Sequence, residues 1–406
     1  MQKKCLIVAC LFPLALMGQK APNTLPQNNE VKDTARQTDL IDVAKGLFKI
    51  KSKPVREEKE KRIYFSFLPI SSNPPGGSGN ALVTSTTAGI YLGSRRTTNK
   101  STATFAPYWN LKKRFGLPLR TNVWLPGNTW NIVGDIRFLV YPQYTWGIGS
   151  SNDYDERTLV DYRYIRFYQV ALKRIKPYFY GGLGYHIDYR FNIDSDNPAL
   201  PLKQFTGYPY GTGNNSYSSG LSLNLLYDTR NNDINPLPGS YANIVYRMNP
   251  NFLGNTNYWH SLYLDARKYV PLNPARRNQQ NVLAFWSYYW TMLDNGAPYL
   301  DLPSTGWDPY NRSARGIDQN RHRGKSLFYL ETEYRRDITR NGLFGFVLFT
   351  NVNTVSGTGT MFTSWNPAAG AGLRIKFNKG NNTNIGIDYG FSKSFSNIIV
   401  NISEAF

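Results

Sequence analysis

Strict alternation of apolar and polar residues is the feature that most constrains the fold of this chain. Residues 179–191 place mostly aromatic and aliphatic residues at odd positions, and glycine, histidine, aspartate and arginine at even positions. Residues 221–227 and 385–391 repeat the pattern. A period of two predicts β-strands with one apolar and one polar face. The chain is therefore expected to be built mainly from strands.

Charged residues lie in the middle of several of these strands, on the polar face. In residues 326–336, Glu331, Glu333 and Arg335 alternate with Leu330 and Tyr334. Charges at mid-strand are costly in lipid and are tolerated when they face a watery lumen. A closed barrel also pairs every backbone group within its wall. The pattern predicts an all-β fold, a transmembrane antiparallel β-barrel. The low hydrophobic content of 41% with 15% aromatic residues fits a wall one residue thick.

The strand count supports closure. We count about sixteen strand cores between residues 63–70 and 396–406, and assign residues 62–406 to the barrel. Bacterial barrels have an even number of strands. Short turns such as "PGNT" at 126–129 and "KRIK" at 173–176 fall on one side, and the longest connections, 192–216 and 293–325, fall on the other. Such sorting is typical of outer-membrane barrels.

The N-terminus predicts export. Lysines 3 and 4 precede a short apolar stretch, and we assign residues 1–18 to a signal peptide with cleavage after Gly18. Residues 7–10 weakly resemble a lipoprotein box around Cys10, but the apolar stretch before it is short. Both cysteines, Cys5 and Cys10, lie in this peptide, so a mature protein without it has no disulfide and no thiolate metal site.

Residues 19–61 differ in character from the barrel. Their polar composition predicts a disordered segment, which contains one short amphipathic helix at about 39–49, capped by Asp39 or Thr38, and ends in a charged linker. Two interpretations of the helix remain open. It either rests on the membrane surface, or serves as a plug or docking helix on the periplasmic side.

The formal net charge of +20 raises the question of nucleic acid. The charges are scattered through strands and turns, so no nucleic-acid partner is expected, and outer-membrane lipids and lipopolysaccharide at the rims are the favoured counter-charge. The three histidines, His186, His260 and His322, have no metal-binding spacing. No nucleophile motif or phosphate loop is present either, so we expect no enzyme, no cofactor and no metal.

The last strand ends in an alternating apolar series. Ile398, Val400, Ile402 and the terminal Phe406 are in register on one face of strand 396–406, and Glu404 interrupts this series near its end, where water is close. A terminal aromatic residue on such a strand is typical of the signal that the barrel-assembly machinery of Gram-negative bacteria recognises. Phe406 is therefore the expected C-terminal assembly signal, and the expected location is the outer membrane of a Gram-negative bacterium.

Three segments, 227–241, 314–336 and 370–406, together resemble the BamA/TamA-like family of outer-membrane barrel-assembly proteins, also called bacterial surface antigens. In the first segment the family's strand-turn motif is matched by Tyr227, Asp228, Arg230, Asn235, Pro236 and Gly239. In the second, Arg315 and Gly316 match a motif in a long loop that folds back into the lumen, with Ile317 in place of the family's aromatic residue.

The resemblance also implies a partner for the loop arginine. In the family this arginine is anchored by an acidic residue in a Phe-x-Asp-x-Gly strand motif. Here Phe349 fits, but Asn351 stands in place of the aspartate. An amide can accept a hydrogen bond from guanidinium but supplies no negative charge to pair with it. We therefore expect Arg315 to bind Glu331, Glu333 or Asp388 as well.

The function that the resemblance implies is an accessory role in the assembly or translocation of outer-membrane or surface proteins, alongside the assembly machinery or other outer-membrane proteins. A client strand would enter at a weak seam between strands 63–70 and 396–406. Residues 19–61 are too few for a periplasmic POTRA domain, so chaperone docking is not implied. The alternatives are a passive pore and a structural scaffold of the outer membrane.

Overall fold

The computed structural model describes most of the barrel and one segment ahead of it. The described residues are 37–49, 63–72, 81–109, 114–197, 199–230, 234–273, 279–357, 359, 361–379 and 382–406, with the backbone alone for 63–72 and 81–85. The expected signal peptide, 1–18, and most of segment 19–61 lie outside the described residues.

Eighteen strand segments form one antiparallel sheet. Their bounds are β1 Ile63–Ser72, β2 Ala81–Ile90, β3 Ser101–Phe105, β4 Tyr108–Trp109, β5 Phe115–Trp124, β6 Trp130–Val140, β7 Gln143–Thr145, β8 Thr158–Lys176, β9 Phe179–Ser195, β10 Asn215–Asp228, β11 Gly239–Asn249, β12 Trp259–Pro271, β13 Asn281–Met292, β14 Ser326–Asp337, β15 Phe344–Val355, β16 Asn366–Asn378, β17 Thr383–Ser392 and β18 Ser396–Ile402.

These segments occupy sixteen positions in the wall, because two strands are interrupted. Segments β3 and β4 both pair with β2 and β5, and β6 and β7 both pair with β8. Pro107 and Pro142 lie in the two breaks. Proline has no N–H to donate to a ladder, which explains why each ladder stops there and resumes.

Each strand pairs with its neighbours in the chain, as in an up-and-down barrel. For example, Leu223 lies opposite Tyr246 in the pair β10–β11 and opposite Leu183 in the pair β9–β10. Strand β1 pairs with β2, and β18 pairs with β17. Among the described residues, β1 and β18 approach each other without a hydrogen-bonded ladder. The prediction of a β-barrel of about sixteen strands is confirmed.

The two faces of the wall differ as the alternation predicted. In β10, Leu221, Leu223 and Leu225 are 46, 58 and 42% exposed, whereas the intervening Ser222 and Asn224 are buried on the lumen side. Aromatic residues form pairs on the outer face near both ends of the strands. Tyr189 and Tyr217 lie 6.0 Å apart at one end, and Tyr334 and Phe346 lie 5.9 Å apart at the other. Such girdles mark the two membrane interfaces.

The two ends of the barrel also differ, and we name them for their connections. The loop rim carries the connections 146–157, 250–258 and 293–325. The turn rim carries 91–100, 125–129 and 338–343. The expected turn at 173–176 is wrong, because β8 continues to Lys176 and the turn is formed by Pro177 and Tyr178, whose φ is 65°. Residues 173–176 remain in the strand because their backbone continues the ladder with β9, in which Arg174 lies opposite Tyr180 and Lys176 opposite Phe179.

The last strand is shorter than expected. It ends at Ile402, and Ser403 turns the chain with a φ of 83°. Residues 403–406, which we call the tail, enter the lumen. Phe406 is 3% exposed, whereas Ile398 on the outer face is 56% exposed. The expectation that Phe406 continues the outward series of the last strand is therefore wrong. The tail turns inward because Glu404 finds positive partners there and the Phe406 ring finds an aromatic pocket.

The short N-terminal helix is present. Helix α1, Leu40–Leu47, begins after Asp39, whose side chain accepts a hydrogen bond from the Asp42 N–H while Asp42 reciprocates. This capping box satisfies two amide groups that would otherwise lack partners. Helix α2, Leu202–Thr206, lies in the connection between β9 and β10. Neither helix among the described residues is long and apolar enough to cross a membrane.

Candidate functional site: a loop locked inside the lumen

The connection between β13 and β14, residues 293–325, folds into the barrel, and we call it the lumen loop. Its backbone lies directly against the wall at Gly316, which has a φ of 83°. A Cβ at Gly316 would come within 2.6 Å of the Phe391 nitrogen, and one at Gly390 within 2.6 Å of the Gly316 nitrogen. Both positions therefore require glycine, because the loop backbone and the β17 backbone approach each other without room for a side chain.

Arg315 lies at the centre of this contact and binds three carboxylates. Its guanidinium pairs with Glu331, with Glu333 at 3.1 Å and with Asp388 at 2.8 Å. We call Glu331, Glu333 and Asp388 the carboxylate cluster. All four side chains are buried. Charge-assisted bonds of this kind are the strongest hydrogen bonds in proteins, and they hold the loop to strands β14 and β17.

The Phe349 and Asn351 positions contribute differently from each other. Cζ of Arg315 lies over the Phe349 ring, 3.7 Å from its centroid, which is a cation–π contact. The Asn351 side chain donates to the main-chain oxygen of Arg315 at 2.9 Å instead of accepting from the guanidinium. Asn351 thus positions the loop backbone, and the carboxylate cluster carries the charge.

A second layer of arginines supports the carboxylate cluster from the wall. Arg335 binds Glu333 at 2.6 Å, and Arg374 binds Asp388 at 2.5 Å. Arg374 also binds Glu404 of the tail at 2.8 Å. Strand β16 has room for Arg374 because Gly372 and Gly386 flank it in the lumen register. A Cβ at Gly386 would meet the Arg374 guanidinium at 2.7 Å.

The tail joins this network at two places. Glu404 accepts from Asn384 at 2.8 Å, and its main-chain oxygen accepts from Arg312 of the lumen loop at 2.7 Å. Burial alone would raise the pKa of Glu404, but Arg374 and Arg335 hold it at about 2. The Phe406 ring packs 5.2 Å from Trp286, and its main-chain oxygen accepts from Arg335 at 2.8 Å. The expected C-terminal signal residue is thus an internal anchor in this structure.

The residues of the strand-turn motif lie at the turn rim, away from Arg315. Asp228 and Arg230 form a two-pronged pair at 2.9 and 2.8 Å, and the Arg230 guanidinium lies over the Tyr241 ring. Gly239 has a φ of 134° and passes close to the Arg230 backbone. Tyr227 ends the outer face of β10, and Pro236 is buried.

Asn235 connects this motif to two other turns of the turn rim. Its side-chain oxygen accepts from Gln280 at 2.8 Å, and its main-chain oxygen accepts from Asn382 at 3.2 Å. The neighbouring Ile234 oxygen accepts from the Glu404 N–H at 3.2 Å. Because β10 and β17 are far apart in the wall, these bonds carry residues 234–238 across the turn rim. Segment 227–241 therefore contacts segment 370–406 at Glu404, and segment 314–336 contacts the same tail where Arg335 donates to the Phe406 oxygen.

The opposite wall holds the lumen loop as well. Asp301, in a short 3-10 helix Tyr299–Asp301, pairs with Arg190 of β9 and accepts from Ser218 of β10 at 2.6 Å. Arg137 of β6 donates to the Pro309 oxygen at 2.8 Å and to Asn311 at 3.0 Å. Anchored on both walls, the loop crosses the lumen.

Sequence reasoning placed Arg315 among its charged partners but missed Arg335, Arg374, Glu404 and Asp301. A signal for Arg374 was available. Glycines at lumen positions two residues from a charge, such as Gly372 and Gly386, indicate a large side chain that needs their space. For Asp301 no comparable spacing exists, because its partners Arg190 and Ser218 are remote in sequence.

The chemistry of this arrangement is that of a clamp. The carboxylates face arginines, which do not release protons in proteins. Among the described residues, no group of three His, Cys, Asp or Glu side chains could hold a metal ion. His322 of the lumen loop is buried, and this burial, with the nearby charge of Arg321, lowers its pKa to about 3. His322 is therefore neutral in the docked loop.

A strand wall with an apolar outer face and a lumen crossed by an inward loop are the features of an outer-membrane β-barrel. The Omp85 superfamily domain matches residues 124–397, two thirds of the chain. The chain belongs to the Omp85 superfamily. A search of curated proteins found no match.

Solved structures with the same fold include BamA from Haemophilus ducreyi lacking POTRA domains 1–3, at a TM-score of 0.52 and 14% identity over 84% of this chain and 69% of that one. CdiB from Acinetobacter baumannii is similar at a TM-score of 0.53 and 11% identity, over 85% of this chain and 60% of that one. The chain thus spans three fifths of the CdiB chain. These likenesses extend the fold agreement to residues ahead of the matched domain.

Proposed function

We propose that this protein assists the assembly or translocation of outer-membrane or surface proteins, as an accessory that works at the seam between β1 and β18. Its partners are other outer-membrane proteins or the assembly machinery, within a membrane of phospholipid and lipopolysaccharide. Membership of the Omp85 superfamily supports this class of function.

One observation carries the proposal. The lumen is crossed by a loop anchored on both walls, while β1 and β18 share no ladder among the described residues. A strand edge with unpaired N–H and C=O groups is a template for another strand. Pro69 of β1 lacks an N–H and weakens that edge as a partner for β18. We therefore expect a client strand to enter through the wall, at the seam between β1 and β18, and not to pass through the lumen.

The seam is tested by disulfide cross-linking. Cysteine pairs are introduced along β1 and β18, in a chain with Cys5 and Cys10 replaced by serine, and the pair that oxidises most completely is used. We expect the cross-linked protein to lose its ability to support the surface proteins of its host, and reduction to restore it. A matched pair across β17 and β18, which already share a ladder, leaves function intact. Full function of the cross-linked seam contradicts the proposal.

Partners are tested by purifying the tagged protein from its native outer membrane in mild detergent and identifying the proteins that accompany it. Assembly factors or surface proteins in the eluate support the accessory role. A protein that purifies alone and conducts ions in a planar bilayer supports the passive pore. A protein that purifies alone and does not conduct ions contradicts both the accessory role and the passive pore. The structural scaffold is then the remaining function.

A further inference from the structure

Helix α1 leaves an apolar stripe uncovered at the turn rim. Leu47 and Phe48 are 75 and 76% exposed, and Ile41 and Ala44 on the same stripe are exposed as well. Val43 is half-buried. An exposed apolar surface of this kind at one place marks a contact with lipid or protein.

The helix is fixed to the barrel by its N-terminal end. Thr38 donates its N–H to the Asn341 oxygen at 3.0 Å, in the turn between β14 and β15. Lys379, in the turn between β16 and β17, donates its N–H to Asp39 at 2.9 Å and pairs through Nζ with Asp42 at 2.7 Å. These bonds occupy both acidic residues of the helix and leave its last turn uncovered.

The turn that holds the helix lies at the membrane boundary. Ile338 and Phe344, at its two ends, are 61 and 44% exposed. Phe344 shares the outer face of β15 with Phe346, whose ring pairs with Tyr334 in the aromatic girdle. The lipid-facing surface of the wall therefore continues to the turn beside α1, and the uncovered stripe extends it.

The charge around this surface selects the kind of lipid. On the two described segments 40–49 and 336–344, every charged side chain in the exposed class is basic. These side chains are Lys45, Lys49, Arg336 and Arg340. Basic residues beside an apolar helix face are typical of helices that lie in the interface of an anionic membrane.

We infer that α1 lies in the headgroup region of the anionic phospholipid leaflet at the turn rim, with Leu47 and Phe48 among the acyl chains and Lys45 and Lys49 at the phosphates. The helix would then hold the start of the barrel, which follows at β1, against the membrane. This inference does not depend on the proposed function.

Spin labels at two neighbouring positions test it. Phe48→Cys reports on the apolar stripe. Gly46→Cys is the matched control on the opposite face, where a Cβ meets nothing within 4 Å. Both are made in the full chain with Cys5 and Cys10 replaced by serine, and folding is checked by the heat-dependent gel mobility of the barrel. The proteins are reconstituted into vesicles of phosphatidylglycerol and phosphatidylethanolamine, or of phosphatidylcholine alone, and probed with oxygen and with a water-soluble nickel chelate.

In the anionic vesicles we expect the label at position 48 to be open to oxygen and closed to nickel, and the label at 46 to show the reverse. Exchanging Lys45 and Lys49 for glutamine should shift the label at 48 toward water, by about fivefold in partitioning for each charge. Equal nickel access at both positions overturns the inference. Exclusion of both reagents from position 48 overturns it too, because the stripe is then covered by protein.

Discussion

The two walls that hold the lumen loop use opposite charges. On β14 and β17 the strands supply carboxylates, Glu331, Glu333 and Asp388, and the loop supplies Arg315. On β6 and β9 the strands supply Arg137 and Arg190, and the loop supplies Asp301 and the oxygens of Pro309 and Asn311. At each wall the charge that contacts the loop is opposite to the charge that the loop supplies there.

This difference teaches how a long loop finds a single position in a polar lumen. Buried ion pairs add little net stability, because the desolvation of two charges offsets their attraction. They are costly to break, however, and a reversed loop would leave arginines facing arginines. The opposite charges at the two loop contacts thus favour one direction of crossing, and the number of buried pairs that the loop makes at each contact sets how much stability is lost when it leaves.

The largest effect is expected at Arg315, which pairs with three carboxylates, whereas Asp301 pairs with one arginine. Arg315→Ala leaves three buried carboxylates without their shared partner, and breaking a buried pair typically costs about 3–5 kcal/mol. We expect the free energy of unfolding to fall by roughly the upper end of that range. The measurement is the urea midpoint of the folded form, read by its gel mobility, together with conductance in a planar bilayer, which should rise as the loop leaves the lumen.

The control for this change is Arg315→Lys, which keeps the charge but loses the planar fork and much of the stacking on Phe349. The free energy of unfolding of Arg315→Lys should lie between that of the wild type and that of Arg315→Ala. An alanine variant as stable and as closed as the wild type would show that the carboxylate cluster does not hold the loop.

The tail offers a second test of the wall formed by β14 and β17, because it packs against that side of the barrel without contacting Arg315. Phe406→Ala removes a buried ring from its contact with Trp286, and such truncations cost about 3 kcal/mol or more. Phe406→Leu keeps most of the apolar volume and should cost about half as much. If Phe406 acts only as an assembly signal, both variants should assemble poorly but have the same urea midpoint as the wild type once folded. If Phe406 is an internal anchor, the urea midpoint should fall.

The opposite wall should be more tolerant. Asp301→Asn keeps the shape and the bond from Ser218 but removes the charge that pairs with Arg190. Hydrogen bonds to charged groups are worth about 1.5–3 kcal/mol, so we expect a loss of about 2 kcal/mol. The urea midpoint checks this value, and a larger loss than that of Arg315→Ala would reverse our ranking of the walls.

The sequence was sufficient for the wall and for the partners available to Arg315, and insufficient for the tail. Alternation in β10 assigns Leu223 to lipid and Asn224 to the lumen from local spacing alone. Once the faces are assigned, Glu331 and Glu333 must line the lumen. The series Ile398, Val400 and Ile402, by contrast, was extended to Phe406, and the interruption by Glu404 was attributed to nearby water and not to a turn at Ser403. Its reversal depends on Arg374 and Trp286, which are remote in sequence.

The smallest expected effect is a pH dependence of loop docking that arises from His322. Its pKa is about 3 in the docked loop, below the ordinary 6.5, so the released loop binds a proton more tightly. Docking is therefore at full strength above pH 6.5 and weakens by about 1.4 kcal/mol for each pH unit below it, until about pH 3. Asp318, whose pKa is raised by burial, acts in the opposite sense, since its protonated form is favoured in the docked loop.

His322→Gln isolates the contribution of His322 to the pH dependence, because it removes the titrating imidazole and leaves Asp318 in place. Urea midpoints at pH 7.5 and 5.5 should differ by about 1.4 kcal/mol more in the wild type than in the variant. Equal shifts in the two proteins would mean that His322 is solvated in the docked loop. Because neither the carboxylate cluster nor Asp301 contributes to the pKa shift of His322, its effect should also add to that of Asp301→Asn. A shared shift would indicate that the loop leaves the lumen from the Asp301 side first.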